Sequence, residues 1–350
     1  MTGATGFLGQ ALVRRLRAAG RPVHALARVG SDRSPLDCGP VGDRDPAGDR
    51  DAVGEGESVG LAPLTWHTGD LCEPPALERA LGRAAADGPL DVVHSAALIS
   101  YASADGERSR RVNVEGTRFL LHAAKQAAVR RFLFVSSVVA IGHAADGASV
   151  LDETAPFNGA SLRVPYVTTK RAAEDFVLAV ARELDVVVVN PGAVFGPSTA
   201  PTNTVRFLSR LARNRLGPLA PPGTLGVVGR ECVVDGLLAA LERGRRGERY
   251  LLVESNWSHL ELFGLAARML GARAPRRRFA SSAWKAVCAG ATALDRARPL
   301  RLATPQTLRL LGAHFCFDAA RARTELGWAP RPFPEVLDEA VRAARERGFL

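Results

Sequence analysis

Tyr166 and Lys170 stand four residues apart in YVTTK, a spacing that puts both on one face of a helix. A phenol ordinarily loses its proton near pH ~10. An ammonium one turn away favours the phenolate, so Tyr166 is expected to titrate closer to neutrality and to exchange a proton with a substrate oxygen. The pattern is common, and alone it describes an ordinary helix surface. Ser137 gives it meaning. In VSSVVAIG, Ser136 and Ser137 interrupt an apolar run at a strand end, where a hydroxyl can bond the oxygen that Tyr166 serves. Ser137 is the expected partner, and Ser136 is expected to bond backbone carbonyls instead. Asn113, in RVNVEGT, is a poor helix former midway along a predicted helix. It reads either as a link in a water relay from Lys170 to solvent or as a buried structural amide.

A second constellation opens the chain. In MTGATGFLGQ, Gly3, Gly6 and Gly9 recur at every third position and lead into a helix with Phe7, Leu8, Ala11, Leu12 and Leu16 on one face. Such a turn lets backbone approach a pyrophosphate and presents helix N-terminal amides to its charge. Tight turns also use glycine for conformational reasons alone. Arg28 ends the next strand, where a carboxylate would accept from an adenosine ribose hydroxyl and a cation would hold a 2′-phosphate; NADP is therefore expected over NAD. Asp70, in TGDL, is either an acceptor for an adenine amino group or a turn carboxylate. His94, Ser95, Ala96 and Ala97 end a further strand with small residues against which a flat ring can lie.

Elements able to position these groups alternate along the chain. Apolar runs at 21–28, 62–71, 90–97, 130–142 and 185–197 read as strands, and segments 74–88, 107–129 and 165–184 as helices. Val-rich strands alternating with amphipathic helices imply an α/β fold, a Rossmann doubly wound parallel sheet covered on both faces. Residues 30–60, rich in Gly, Asp and Pro, read as a mobile loop. From about 198 onward the pattern is mostly helical with one more strand at 248–254, a smaller C-terminal substrate lobe. The expected division is 1–197 plus about 226–255 for the cofactor domain, with about 198–225 and 256–350 for the lobe. The first strand of the sheet looks truncated, because only Met1 and Thr2 precede the glycines. This reading expects the natural chain to start upstream, and expects poor cofactor affinity if Met1 is its true end.

Composition narrows the function classes. A chain of 350 residues with 47% apolar residues buries a large core. No apolar run approaches the roughly 20 residues of a membrane span, and no leader precedes the first motif, so a cytoplasmic protein without stable membrane insertion is expected. Five scattered cysteines form no C-x-x-C pair, and no metal site is expected. The net charge of +10 comes from arginines spread among acidic residues, with one dense cluster at Arg276, Arg277 and Arg278, which argues against nucleic-acid binding. The FASSAWKAVCAGATAL segment after that cluster is apolar enough to touch a membrane surface, although such helices more often dock on their own protein.

Taken in order, TGATGFLG, GDL (69–71), HSAA (94–97), NVEGT (113–117), VSSVVAIG (135–142), YVTTK (166–170) and NPGAVFGP (190–197) resemble the motifs of the extended short-chain dehydrogenase/reductase superfamily. The resemblance spans nearly the whole chain, including TELGWAPRPFPEVLDEAV at 324–341. It implies a catalytic set of Ser137, Tyr166 and Lys170 assisted by Asn113, with Pro191 and Gly192 beside a nicotinamide. The implied cofactor contacts are Gly3, Thr5, Gly6, Phe7, Leu8, Gly9, Arg28, Asp70, Leu71, Ala96, Ala97, Tyr166, Lys170, Pro191 and Gly192. Three positions depart from the family pattern: the strand before the glycines, Asn190 where arginine is common, and Cys232 where aspartate is usual. ALAR at Arg28 and the arginine-rich lobe look more like the dihydroflavonol-reductase and hydroxysteroid-dehydrogenase branch than like sugar-nucleotide epimerases. The implied partner is a small carbonyl or alcohol, with a sugar nucleotide, a noncatalytic cofactor-binding regulator and a homodimer as the other readings.

Overall fold

The computed structural model describes residues 1–37, 60–215, 217–297 and 304–350. Most of the loop expected at 30–60 lies outside the described residues. Strands run in the order β1 (Val23–Ala27), β2 (Leu64–Thr68), β3 (Asp91–His94), β4 (Arg131–Val135), β5 (Val186–Pro191), β6 (Ala193–Phe195), β7 (Leu219–Ala220), β8 (Thr224–Gly229), β9 (Arg249–Leu252), β10 (Ser255–Ser258) and β11 (Arg277–Arg278). The helices that matter for the site are α1 (Phe7–Ala18), α2 (Pro74–Ala86), α3 (Gly116–Gln126), α4 (Pro165–Ala179), α5 (Asn203–Ala212) and α6 (Arg230–Arg243).

Parallel pairing joins β3, β4, β5 and β9 in that order, while β1 pairs in parallel with β2. Val186 to Val189 are fully buried, as a strand covered on both faces requires. Among the described residues, the backbone pairing between the two groups of strands runs through Met1 and Thr2. Thr2 bridges Leu26 on one side and His94 on the other. Its amide donates to the Val93 carbonyl at 3.0 Å, and Leu26 donates to the Met1 carbonyl at 2.9 Å. The Thr2 hydroxyl lies 2.7 Å from His94 Nδ1, and His94 Nε2 lies 2.9 Å from the Thr117 hydroxyl. Burial pulls the Met1 ammonium down to about 5, although it donates to the His24 carbonyl at 2.6 Å. A cavity of about 30 Å³, lined by Met1, His24, His67 and Leu77 among others, lies beside these residues.

The second half holds more strand than its periodicity predicts. Beyond β9, the chain forms a three-stranded sheet β10-β8-β6 and a short β11–β7 pair. The six-residue β8, TLGVVG, escapes a pattern search because glycines break its apolar run. Phe195 of β6 packs edge to face on Phe333, and Trp257 of β10 packs on the same ring at a tilt. The helix Ser281–Ala297 buries only Trp284, whose indole donates to the Leu308 carbonyl at 3.1 Å. Among the described residues no helix is long and apolar enough to cross a membrane.

Candidate active site

Helix α4 starts with Pro165 at its first position, where the missing amide hydrogen costs nothing. That start places Tyr166 at the mouth of the sheet, and Lys170 follows one turn later. Both are buried, at 8% and 3% exposure. Ser137 sits where β4 passes into a short 3-10 turn, with its hydroxyl close enough to the Tyr166 phenol to act on its titration. The Lys170 ammonium donates to the Val135 carbonyl at 2.8 Å and lies 4.9 Å from the centre of the Phe134 ring. The structure therefore brings Ser137, Tyr166 and Lys170 to one place. Ser136 is buried with no partner for its hydroxyl, rather than bonded to a backbone carbonyl as expected.

Electrostatics here differ from the expectation. Burial pushes the Tyr166 phenol well above its ordinary value; the neighbouring Tyr101 adds to this, and the nearby Ser137 hydroxyl opposes it. The expected lowering by Lys170 is absent because the ammonium is turned to Val135 and Phe134, and desolvation outweighs it. Lys170 itself is drawn down to about 8 by burial, with Glu174 working the other way.

Asn113 lies in a π-helical turn, Arg111–Glu115, that widens the long helix just before α3. Its Oδ1 accepts from the Leu98 amide at 2.7 Å, and its Nδ2 donates to the Leu98 carbonyl at 3.0 Å and to Thr169 Oγ1 at 3.1 Å. These bonds pin the loop after β3 to α4, and Asn113 makes no direct bond to Lys170.

At the start of the chain, Gly3 adopts a left-handed φ of +73°. A Cβ there would stand 2.7 Å from the Ala96 amide, so only glycine lets the turn lie against the end of β3. A Cβ on Gly9 would fall 1.9 Å from the Gly3 carbonyl oxygen, which locks α1 onto the same turn. Gly6, the N-cap of α1, is exposed, supplies no side-chain cap, and no acidic residue stands in the first turn. The amides there suit an anion. Thr5 accepts from Gln10 at 2.9 Å through its carbonyl, while Phe7 and Leu8 are half-buried at the helix start. Ala97 is half-buried beside Ala96, and Pro191 and Gly192 end β5, with Gly192 donating to the Leu252 carbonyl.

A profile of the NAD dependent epimerase/dehydratase family matches residues 1–250. The chain belongs to that family. It is 32% identical over its whole length to sterol demethylase protein B of Methylococcus capsulatus, covering 99% of that protein. It is 28% identical, again over its whole length, to a putative dihydroflavonol 4-reductase of Synechocystis, of which it covers 95%. The crystal structure of gox2253 superposes with a TM-score of 0.80 at 31% identity, covering all of this chain and 98% of that one. The protein is thus an enzyme of the extended short-chain dehydrogenase type, with the Rossmann fold of this epimerase/dehydratase family.

For the family's nicotinamide dinucleotide, the uncapped start of α1 and the Gly3–Ala96 contact make a fitting cradle. Arg28 is exposed at the end of β1, and the turn it begins carries a second cation that the sequence reading missed. Arg33 donates to Thr68 Oγ1 at 2.9 Å and lies 5.1 Å over the Trp66 ring. Asp70 behaves as a turn carboxylate, accepting from the Cys72 amide at 2.8 Å. Leu71 is buried against Gly116, where a Cβ would come within 2.7 Å of it, so its side chain packs the core. Two more residues escaped the sequence reading. Arg230 lies 5.3 Å over the Phe7 ring at the glycine turn, and Tyr101 stands edge-on to Tyr166 with its hydroxyl near Asn203 of α5. Both contacts join segments far apart in sequence, and no local pattern announces them.

Proposed function

We propose that this enzyme is an NADP-dependent reductase acting on the carbonyl of a ketone or aldehyde, and on the matching secondary alcohol in reverse. The observation that carries this reading is the meeting of half-buried Ser137 with buried Tyr166 and Lys170 at the end of β4 and the start of α4. When bound, NADPH supplies the hydride for the carbonyl carbon. Ser137 holds the substrate oxygen through its hydroxyl, and Tyr166 donates the proton that oxygen needs as charge develops on it. A phenol held neutral by burial is suited to donation. Lys170 keeps a positive charge beneath the site, and α1 offers its N-terminal amides to the pyrophosphate. Arg28 and Arg33 flank the end of β1, where they would hold a 2′-phosphate. The names of the two relatives, a sterol-processing protein and a dihydroflavonol reductase, favour a bulky alicyclic or aromatic ketone.

The test uses purified protein with NADPH, a panel of steroid, flavanonol and aryl ketones, and a panel of nucleotide sugars. Net NADPH oxidation with one of the ketones is expected. Tyr166→Phe should cut that turnover by about 100-fold or more while NADPH still binds. Conversion of a nucleotide sugar with no net change in cofactor, or full turnover by the Phe variant, would overturn the reading.

A further inference from the structure

Beneath the catalytic cluster lies a buried carboxylate that the proposed chemistry does not use. Glu174, one turn beyond Lys170 on α4, is fully buried. Its Oε2 accepts from Asn190 Nδ2 at 2.7 Å, and its Oε1 faces Arg249 Nη1 at 3.3 Å. The same Asn190 amide group donates to the Ser137 carbonyl at 3.1 Å. Arg249 reaches this carboxylate from the strand beside Asn190, since β5 and β9 pair Val188 with Arg249 and Asn190 with Leu251. Arg249 and Asn190 therefore lie on the same face of the sheet, under α4. A buried carboxylate without a cationic partner would carry a large desolvation cost, and Arg249 offsets it.

We propose that Glu174 is a positioning residue: its charge, held in place by Arg249 and Asn190, sustains the Lys170 ammonium, while Asn190 ties the same carboxylate to the peptide of Ser137. The pairing resolves one departure from the family pattern. Asn190 stands where an arginine is common, and the guanidinium comes instead from the neighbouring strand. The charged and titratable groups facing Lys170 are Glu174 and Tyr166 on its own helix and His94 on β3, with Arg249 on β9 acting through Glu174. His94 is held neutral near 3 by burial, so Glu174 is the group that supports the ammonium.

The inference rests on the proposed roles of Ser137 and Lys170, and its test needs no substrate. The chain has three lysines, Lys125, Lys170 and Lys285, so Lys170 can be resolved in a protein labelled with 13C at lysine Cε and assigned by its loss in Lys170→Met. In Glu174→Gln the Lys170 titration midpoint should fall by about one pH unit or more, because the opposing charge is gone. An unmoved midpoint would overturn the inference. Arg249→Leu should disturb the midpoint, and adding Asn190→Arg should restore it, since a guanidinium on β5 can reach the same carboxylate. Failure of that rescue in a folded double variant also counts against the inference. Should Glu174→Gln not fold, Asn190→Leu decides: it should lower kcat for NADPH oxidation severalfold with KM little changed, and an unaltered kcat overturns the tie to Ser137. Tyr166→Phe, measured alongside, fails separately if the reductase reading itself is wrong.

Discussion

The ring of Tyr101 stands edge-on to the ring of Tyr166, with centroids 6.0 Å apart and planes at 69°. Tyr101 comes from the loop after β3, which Asn113 pins to α4, and its hydroxyl lies near Asn203 of α5. One aromatic contact thus links Tyr166, the proposed proton donor, to that loop and towards α5. An edge-to-face pair contributes about 1 kcal/mol. Loss of that pair alone should lower the melting temperature by about 1–2 °C in a chain of this size, so Tyr101→Ala should lower it by at least that much and reduce kcat/KM more than Tyr101→Phe does. Calorimetry and steady-state kinetics on the two variants check this, and equal kinetics would show that the ring has no part in the site.

The pH response follows from Lys170. Its pKa is drawn down to about 8 by burial, so the ammonium is present below that pH and lost above it. Reductive kcat/KM for free enzyme should therefore decline as pH rises through about 8. The Tyr166 phenol, raised by burial, remains protonated across the same range. A profile of kcat/KM from pH 6 to about 10 in buffers of constant ionic strength measures the limb.

Cofactor choice is expected to sit in the turn after β1. Arg28 and Arg33 supply two cations there, and no carboxylate at Arg28's position competes for a ribose hydroxyl. Arg28→Glu should weaken NADPH binding by about 10-fold or more, a loss of about 1.4 kcal/mol, and improve NADH binding relative to it. Arg33→Ala should weaken NADPH alone. Fluorescence titrations with both cofactors give the ratio, and an unchanged ratio in both variants would remove these residues from the assignment.

Acid should unfold the protein through its buried histidines. Burial lowers His94 to about 3 and His259 to about 4. The unfolded chain takes up those protons near pH ~6.5, while the folded protein does not until far lower. Stability contributed by the neutral rings is complete above pH ~6.5 and is lost as pH falls towards these folded values, on the order of 3 kcal/mol each. His259→Phe, which fills the space without a titrating group, should flatten the fall of denaturation midpoint between pH 6 and about 4.5 in urea titrations.

Much of this architecture announces itself in the residues. Val-rich runs at β4 and β5 and the Pro165 start of α4 fall where an apolar period and a helix signal coincide, so they are readable locally. The Ser137, Tyr166 and Lys170 cluster is readable for the same reason, because each marks the end or start of such an element. Strand β8 is not, since glycines dilute it and its partners β6 and β10 lie about 30 residues away in each direction. Arg33, Tyr101, Arg230 and Arg249 act across long loops, and only the folded chain sets what they touch. The Tyr166 pKa shows the same limit in energy: spacing announces the nearby ammonium, whereas the degree of burial, which decides the sign, is a property of the whole core.

Thr2 holds β1 to β3 with a few backbone bonds where neighbouring strands elsewhere in the sheet share whole ladders. The sheet therefore has a seam. Arg28 lies on one side of it and Tyr166, Ala96 and Pro191 on the other, so a dinucleotide seated as proposed would cross the joint like a splint. Seated there, the ligand would be a structural brace as well as a reagent.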